Sequence, residues 1–236
     1  MAKYTAIVLS AGKGSRMGSS VHKQYLLLCG RPVIYYTLKA FEESPVDEIV
    51  LVTGEGEEEY CRKEIVEKYK LHKVTKIVKG GKERYHSVFQ GLSACEHTDY
   101  VLIHDGARPF IEQEVIRHIM DEVQKKHACI AAVPVKDTIK KVDENGKVED
   151  TPPRKSLYTV QTPQAFSYSL IYDSYQKMIA DGREDVTDAM VVEAYGKVPV
   201  YVIDGSYRNF KITTPEDLEM AEFMLNAGNP GKGVCS

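Results

Sequence analysis

No stretch of this 236-residue chain holds the ~18–20 consecutive apolar residues that a helical membrane span needs, so none is expected. The amino-terminal run Tyr4-Thr5-Ala6-Ile7-Val8-Leu9 is too short for a signal peptide, and Lys13 and Arg16 follow it directly. Charge of one sign is also lacking. Lys and Arg number 31 against 34 Asp and Glu, a net charge of −3, which excludes a globally basic nucleic-acid binder while allowing a local basic pocket. The five cysteines, Cys29, Cys61, Cys95, Cys129 and Cys235, form no C-x-x-C pair, and no His stands at metal-finger spacing. Reduced, mostly buried thiols in a reducing compartment are therefore expected, not a disulfide framework. Tryptophan is absent while tyrosine is plentiful at 15, a contrast that points to no function. Gly and Pro, at 17 and 10, are ordinary and exclude collagen-like or low-complexity sequence. There is no internal repeat and no Pro/Ser linker. A cytoplasmic protein with one domain over residues 1–236 is the expectation.

What is present is an alternation. Tyr4–Leu9, Glu48–Val52, Lys73–Val78, Tyr100–Ile103 and Cys129–Val135 read as strands, the first as a buried parallel one. Between them Val33–Phe41, Glu57–Tyr69, Tyr85–Ala94 and Gln113–Lys125 are amphipathic, so βαβ units and a mostly parallel α/β sheet are predicted. The second half departs from this rhythm. Thr138–Val142 and Lys147-Val148 flank Asn145-Gly146, a pair suited to a type I′ hairpin turn. The charged flanks leave this hairpin little to bury alone, so it should pack on something else, such as a second subunit. A helix at Tyr168–Ala180, a strand at Pro199–Ile203 and a last helix from Pro215, capped by Thr214, complete the reading.

Three segments could carry chemistry. Ser10-Ala11-Gly12-Lys13-Gly14-Ser15-Arg16-Met17-Gly18 follows the first strand, with Lys23 beyond it. Its glycines let backbone N–H groups approach an oligophosphate, at the sheet edge where open α/β proteins bind ligands. It is neither a dinucleotide fingerprint, since Gly18 comes one residue late, nor a Walker loop. A flexible turn with solvated charges is the plain alternative. His104-Asp105-Gly106-Ala107-Arg108-Pro109-Phe110 ends another strand, and Asp105 there suits Mg²⁺, which takes one or two carboxylates plus phosphate oxygens; a turn or cap role is its ordinary alternative. Lys79-Gly80-Gly81-Lys82-Glu83-Arg84-Tyr85-His86-Ser87 offers donors for a base or ribose, or is simply a strand-to-helix turn. Arg154, Gln161-Thr162-Pro163-Gln164 and Lys211 are further polar sites. Lys211 is read in a strand, and outward is the commoner direction for a lysine.

Taken together these motifs resemble the 2-C-methyl-D-erythritol 4-phosphate cytidylyltransferases of the non-mevalonate isoprenoid pathway. The resemblance runs from Ala11-Gly12 to Lys211-Ile212-Thr213-Thr214-Pro215-Glu216-Asp217. It is carried by Gly14-Ser15-Arg16-Met17, Lys23-Gln24-Tyr25, His104-Asp105-Gly106-Ala107-Arg108-Pro109 and Val135-Lys136-Asp137-Thr138-Ile139-Lys140. It implies a Rossmann-like three-layer nucleotidyltransferase fold with a protruding β-hairpin arm at about 137–158 that embraces a partner in a homodimer. It implies CTP and a polyol phosphate as substrates and Mg²⁺ or another divalent metal as cofactor. By position, it implies that Arg16 and Lys23 stabilise the transition state and that Asp105 binds the metal. Ala11, Gly12, Gly14, Ser15, Gly81, Lys82, Arg84, Ser87, Asp105 and Ala107 would hold CTP. Arg108, Thr138, Arg154, Thr162, Thr187 and Lys211 would surround the sugar phosphate, with Thr138 and Arg154 supplied by the partner's arm. The chain departs from the pattern twice. His22 stands where the family commonly has proline, and Asp185-Val186-Thr187-Asp188-Ala189 is one acidic residue short, a form resembling ribitol-5-phosphate cytidylyltransferase. That enzyme, and a non-catalytic nucleotide-binding module, are the alternatives.

Overall fold

Tyr4–Ser10 forms β1, buried along nearly its whole length as a parallel strand covered on both faces must be. The computed structural model describes residues 2–12, 22–184 and 186–227. Beyond β1 the elements alternate: α1 (Val33–Glu42), β2 (Glu48–Thr53), α2 (Glu58–Tyr60, continuing as a π-helix over Cys61–Glu67), β3 (Val74–Lys79), α3 (Arg84–Ala94), β4 (Tyr100–Asp105), α4 (Gln113–Lys126) and β5 (Ala128–Pro134). A short hairpin follows, β6 (Lys141–Val142) and β7 (Val148–Asp150), and then β8 (Tyr158–Ser167) and α5 (Tyr168–Ala180). The chain closes with α6 (Asp188–Val191, with a π-helical extension Val192–Gly196), β9 (Tyr201–Asp204) and α7 (Pro215–Ala227).

Seven of these strands form one sheet in the order β9-β5-β8-β4-β1-β2-β3. Every neighbouring pair is parallel except those made by β8, which runs antiparallel to both β4 and β5. Period-2 alternation sorts the strand residues onto two cores. Ala6 and Val8 of β1 face α1, α2 and α4, where Leu38, Phe41, Ile65 and Ile119 are fully buried. Ile7 faces the other way, onto Val88 and Leu92 of α3 and Tyr175 and Met178 of α5. The result is three layers. From β1 the chain adds strands first on one side and then, at β4, on the other, so the carboxyl ends of β1 and β4 flank a switch point where a crevice opens.

Besides the short ladder of Leu27–Leu28 with Arg31–Pro32 and the 3₁₀ turns, the sequence reading missed β8 and α6. β8 was seen only as a polar site, because Pro163 interrupts its alternation and its register against β5 shifts between Val160 and Gln164, where the Thr162–Pro163 peptide is cis. α6 is too short to show helical periodicity. The hairpin exists, but its turn is not type I′. Gly146 has φ +80° while Asn145 is not left-handed, Gly146 N–H donates to Asp143 O (3.1 Å), and Asp143 N–H donates to Lys147 O (3.0 Å). Gly146 thus occupies the bulge position of a longer loop. Lys211 lies in a loop between β9 and α7, outside any strand. Cys61, Cys95 and Cys129 are buried and free as expected, but Cys29 is disulfide-bonded, which corrects the expectation of wholly reduced thiols.

Candidate active site

At the end of β1, the Ser10 carbonyl accepts a 2.6 Å bond from the Gln24 amide, which pins the 3₁₀ turn Lys23–Tyr25 against the strand. Glu57 ties that turn to the loop after β2, accepting from Tyr25 Oη at 2.8 Å and Gly54 N–H at 2.9 Å on the same oxygen. Opposite lies the glycine pair after β3. A Cβ on Gly80 would stand 2.6 Å from Ala11 Cβ and 2.7 Å from Ser87 Oγ, so only glycine allows the two loops to approach this closely. Gly81 N–H donates to Ser87 Oγ (3.1 Å), which fixes the loop's path into α3. Together these loops border an open cleft of about 1030 Å³, roomy enough for a nucleoside triphosphate and an acceptor.

Most of the anticipated nucleotide positions converge here: Ala11, Gly12, Lys23, Gly81, Lys82, Arg84, Ser87, Asp105 and Ala107 all line the cleft, and Lys211 joins them. Gly14, Ser15 and Arg16 lie outside the described residues. Thr138 and Arg154 are exposed on the arm and do not line this cleft; Arg154 Nη1 donates to Lys136 O at 2.9 Å. Thr187 is exposed, and its hydroxyl accepts from Met190 N–H at the start of α6. It is a helix cap, and the residue of that stretch that reaches toward the site is its neighbour Asp188, buried against Arg84, which sequence reasoning passed over. The signal was there, since an acidic residue one position past a cap Thr points back along the first helical turn.

Asp105 is the electrostatic centre. Only 8 % exposed, its carboxylate meets Lys211 Nζ at 3.0 Å and Arg108 Nε at 3.4 Å on Oδ2, and Arg84 Nε at 3.7 Å on Oδ1. Burial alone would raise its pKa, but the Lys211, Arg84 and Arg108 charges outweigh that and hold the carboxyl well below the usual range. Lys211 therefore points inward, against the outward direction expected of it. Arg108 spends Nη1 on Asn209 O at 2.7 Å, so it braces the Lys211 loop as well as Asp105.

Thr162 supports this group from behind. Its buried Oγ1 accepts from Asp105 N–H at 3.0 Å and lies 3.1 Å from His104 Nδ1, so it holds the end of β4 in place and does not face the cleft. His104 is wholly buried, its Nε2 3.4 Å from Arg108 O, and burial pushes its pKa down to about 3. It stays neutral at working pH. The unfolded chain takes up a proton near pH ~6.5 and the folded one does not, so stability should fall as pH drops below that value. The expected slope is about 1.4 kcal/mol per pH unit, roughly 2 kcal/mol between pH 7 and 5. Urea unfolding at both pH values checks this. Equal stability, or the same slope in His104→Gln, would refute it.

Among the described residues no group of three or more His, Cys, Asp or Glu could cage a metal. One carboxylate beside a phosphate-sized cleft does suit a hard cation that brings most of its oxygen ligands with the substrate, which is how Mg²⁺ is usually bound.

A glycine-walled crevice at a sheet switch point, with one ionised carboxylate ringed by three cations, fits a nucleotide-dependent transferase of the α/β class. The sequence model of one family within that class, 2-C-methyl-D-erythritol 4-phosphate cytidylyltransferase, matches residues 4–227, and the chain belongs to this family. A protein of that name from Lachnoclostridium phytofermentans is 50% identical over 226 residues, 95% of this chain and 97% of the relative. Among solved structures, the 4-diphosphocytidyl-2C-methyl-D-erythritol synthase of Anaerococcus prevotii superposes with a TM-score of 0.84 at 35% identity, covering 95% of this chain and 99% of that one. The 2-C-methyl-D-erythritol 4-phosphate cytidylyltransferase of Thermus thermophilus gives 0.77 at 29% identity, covering 93% and 98%. No helix among the described residues is long and apolar enough to cross a membrane.

Proposed function

We propose that the chain transfers CMP from CTP to 2-C-methyl-D-erythritol 4-phosphate, giving 4-(cytidine 5'-diphospho)-2-C-methyl-D-erythritol and pyrophosphate. The observation that carries this is the joining, in a chain of this family, of the glycine-walled cleft to the Asp105 charge cluster. Neither alternative from the sequence, a ribitol phosphate acceptor or a binding module without turnover, is favoured by the relatives, which are named for the methylerythritol reaction.

The chemical obstacle is repulsion between two polyanions. A phosphate monoester is already a competent nucleophile, so the site needs position and positive charge more than a base. The geometry agrees, because buried, neutral His104 has no path to the cleft. Gly81 and Ser87 would border the nucleoside, and Lys23 would supply a compact charge at the end of β1; Arg16, outside the described residues, is assigned the guanidinium role by resemblance alone. Asp105 would hold a divalent cation, which when bound neutralises charge on the triphosphate. Lys211, anchored on Asp105 but partly open to the cleft, would receive the acceptor's phosphate.

A homodimer would complete the site. The arm and its root expose Ile139, Val142, Val148, Tyr158 and Val160, each more than two-fifths accessible, an apolar strip that this chain leaves uncovered. Such an arm would carry Thr138 and Arg154 to a neighbour's cleft. Arg154→Ala should then raise KM for the sugar phosphate about ten-fold or more and leave KM for CTP within two-fold, because a lost charge-assisted hydrogen bond costs ~1.5–3 kcal/mol. A selective loss of CTP affinity would show the residue to be misplaced. A CTP-consuming reaction belongs in the cytoplasm, where nucleoside triphosphates are kept. The reading as a whole is tested by measuring pyrophosphate release from CTP with each polyol phosphate. Turnover with methylerythritol phosphate is expected, and turnover with ribitol phosphate alone, or with neither, would overturn it.

A further inference from the structure

Asp188 has no part in the mechanism above, yet it is wholly buried and ionic. It forms a fork with Arg84, Nη1 to Oδ1 at 2.9 Å and Nη2 to Oδ2 at 2.7 Å, and the hydroxyl of Tyr175, itself without exposed surface, donates to Oδ1 at 2.5 Å. Its helix is fixed in turn by Ala189 N–H donating to Gln164 Oε1 of β8 at 3.2 Å. With both terminal nitrogens engaged, Arg84 turns only Nε toward Asp105, and 3.7 Å from Oδ1 is too long for a hydrogen bond. The two oxygens of Asp105 are therefore unequal. Oδ2 is taken by Lys211 and Arg108, whereas among the described residues no hydrogen bond reaches Oδ1.

A guanidinium with free terminal nitrogens closes a two-pronged bridge on the nearest carboxylate. Here the nearest open carboxylate would be Asp105, the group that the proposed reaction needs for its cation. We propose that Asp188 is a positioning residue: by occupying both terminal nitrogens of Arg84 it leaves Asp105 Oδ1 open to the divalent ion. This rests on the reading of Asp105 as the metal carboxylate. It also changes the role of Arg84. The side chain lines the cleft, but its charge is balanced by Asp188, so it is a strut between α6 and β4 more than a clamp on the triphosphate. Burial on its own would make the Arg84 charge costly, and the two carboxylates reverse that effect and keep it protonated.

The test is an EPR titration with Mn²⁺ on the enzyme–CTP complex without acceptor, following the ternary signal that differs from Mn²⁺–CTP, alongside Mg²⁺ half-activation of turnover. Asp188→Asn should raise the Mn²⁺ half-saturation roughly ten-fold, the lower end for loss of a metal ligand's outer partner. Adding Arg84→Met should bring it back to within about three-fold of the unaltered enzyme, a rescue that simple damage to the fold would not allow. Tyr175→Phe, which keeps both charges and removes only the hydroxyl on Asp188, serves if Asp188→Asn fails to fold, with a shift in the same direction of about two-fold. Unchanged half-saturation in the folded Asp188 variant, or a double variant as impaired as the single, would overturn the role of Asp188 while leaving Asp105 as the metal carboxylate. No ternary signal in the unaltered enzyme would sink the metal reading and this inference with it.

Discussion

Lys23→Ala is expected to lower kcat by about 10²–10³-fold, the usual cost of removing one preorganised group that stabilises transition-state charge. The turn that carries Lys23 is held without its side chain. Gln24 reaches back to Ser10 O, Tyr25 Oη donates to Glu57, and Tyr25 N–H closes the turn on His22 O at 2.9 Å. The variant should therefore fold normally, with a melting temperature within a few degrees of the parent. If the charge acts on the reacting phosphate, as proposed, KM for CTP should change far less than kcat. Lys23→Arg tests geometry against charge: a guanidinium keeps the charge but lacks the compact ammonium, so partial recovery is expected. A Lys23→Ala enzyme with turnover within three-fold of normal would remove this residue from the chemistry.

Asp105→Asn should produce the second large effect, on stability as well as on catalysis. Three cations converge on this buried carboxylate, and an amide leaves Lys211 and Arg108 facing one another without a counter-charge, while Arg84 keeps that of Asp188. Removing one partner from such a buried group costs about 3–5 kcal/mol, a large part of a domain's usual 5–15 kcal/mol. Since the folded pKa lies below the unfolded one, the stability that Asp105 supplies is fully present above pH ~3.9 and declines as pH falls below it. At pH 7 the substitution therefore removes all of it. Urea unfolding reads this loss directly. Adding Lys211→Met should restore part of it by removing one of the stranded charges. In the same variant the divalent-ion concentration for half-activation should rise about 10–100-fold. A loss under about 1 kcal/mol with unchanged metal demand would mean that the cations are solvated and Asp105 is peripheral.

The strands and helices of the parallel half were legible because burial on both faces leaves continuous apolar runs, and because α1 and α4 each present one apolar stripe. β8 was not, since an antiparallel strand carrying Pro163 and a register shift has no clean period. The glycine-lined wall of the cleft was legible for a local reason: Ala11, Gly12 and Gly81 lie in loops placed by the strand just before them, and Ser87 in the first turn of the helix that follows. Lys211, Thr162 and Asp188 depend on contacts between segments far apart in the chain, which no local pattern encodes. General preference pointed Lys211 outward, and only the long-range approach to Asp105 turns it in. Thr162 was carried to the sugar phosphate by resemblance, whereas its buried hydroxyl is spent on the backbone of β4. Thr187 and Asp188 differ by one residue, and helix capping decides which of them meets Arg84.

β8 begins at the root of the arm with Tyr158 and, four residues on, sets Thr162 under the Asp105 amide. The arm and the support beneath Asp105 are consequently one unbroken length of backbone. Shortening the limb can spare the pocket only if the cut stops before Tyr158. A deletion reaching further would abolish chemistry for reasons unrelated to dimer formation, and a dead truncated enzyme says nothing about assembly unless that boundary has been respected.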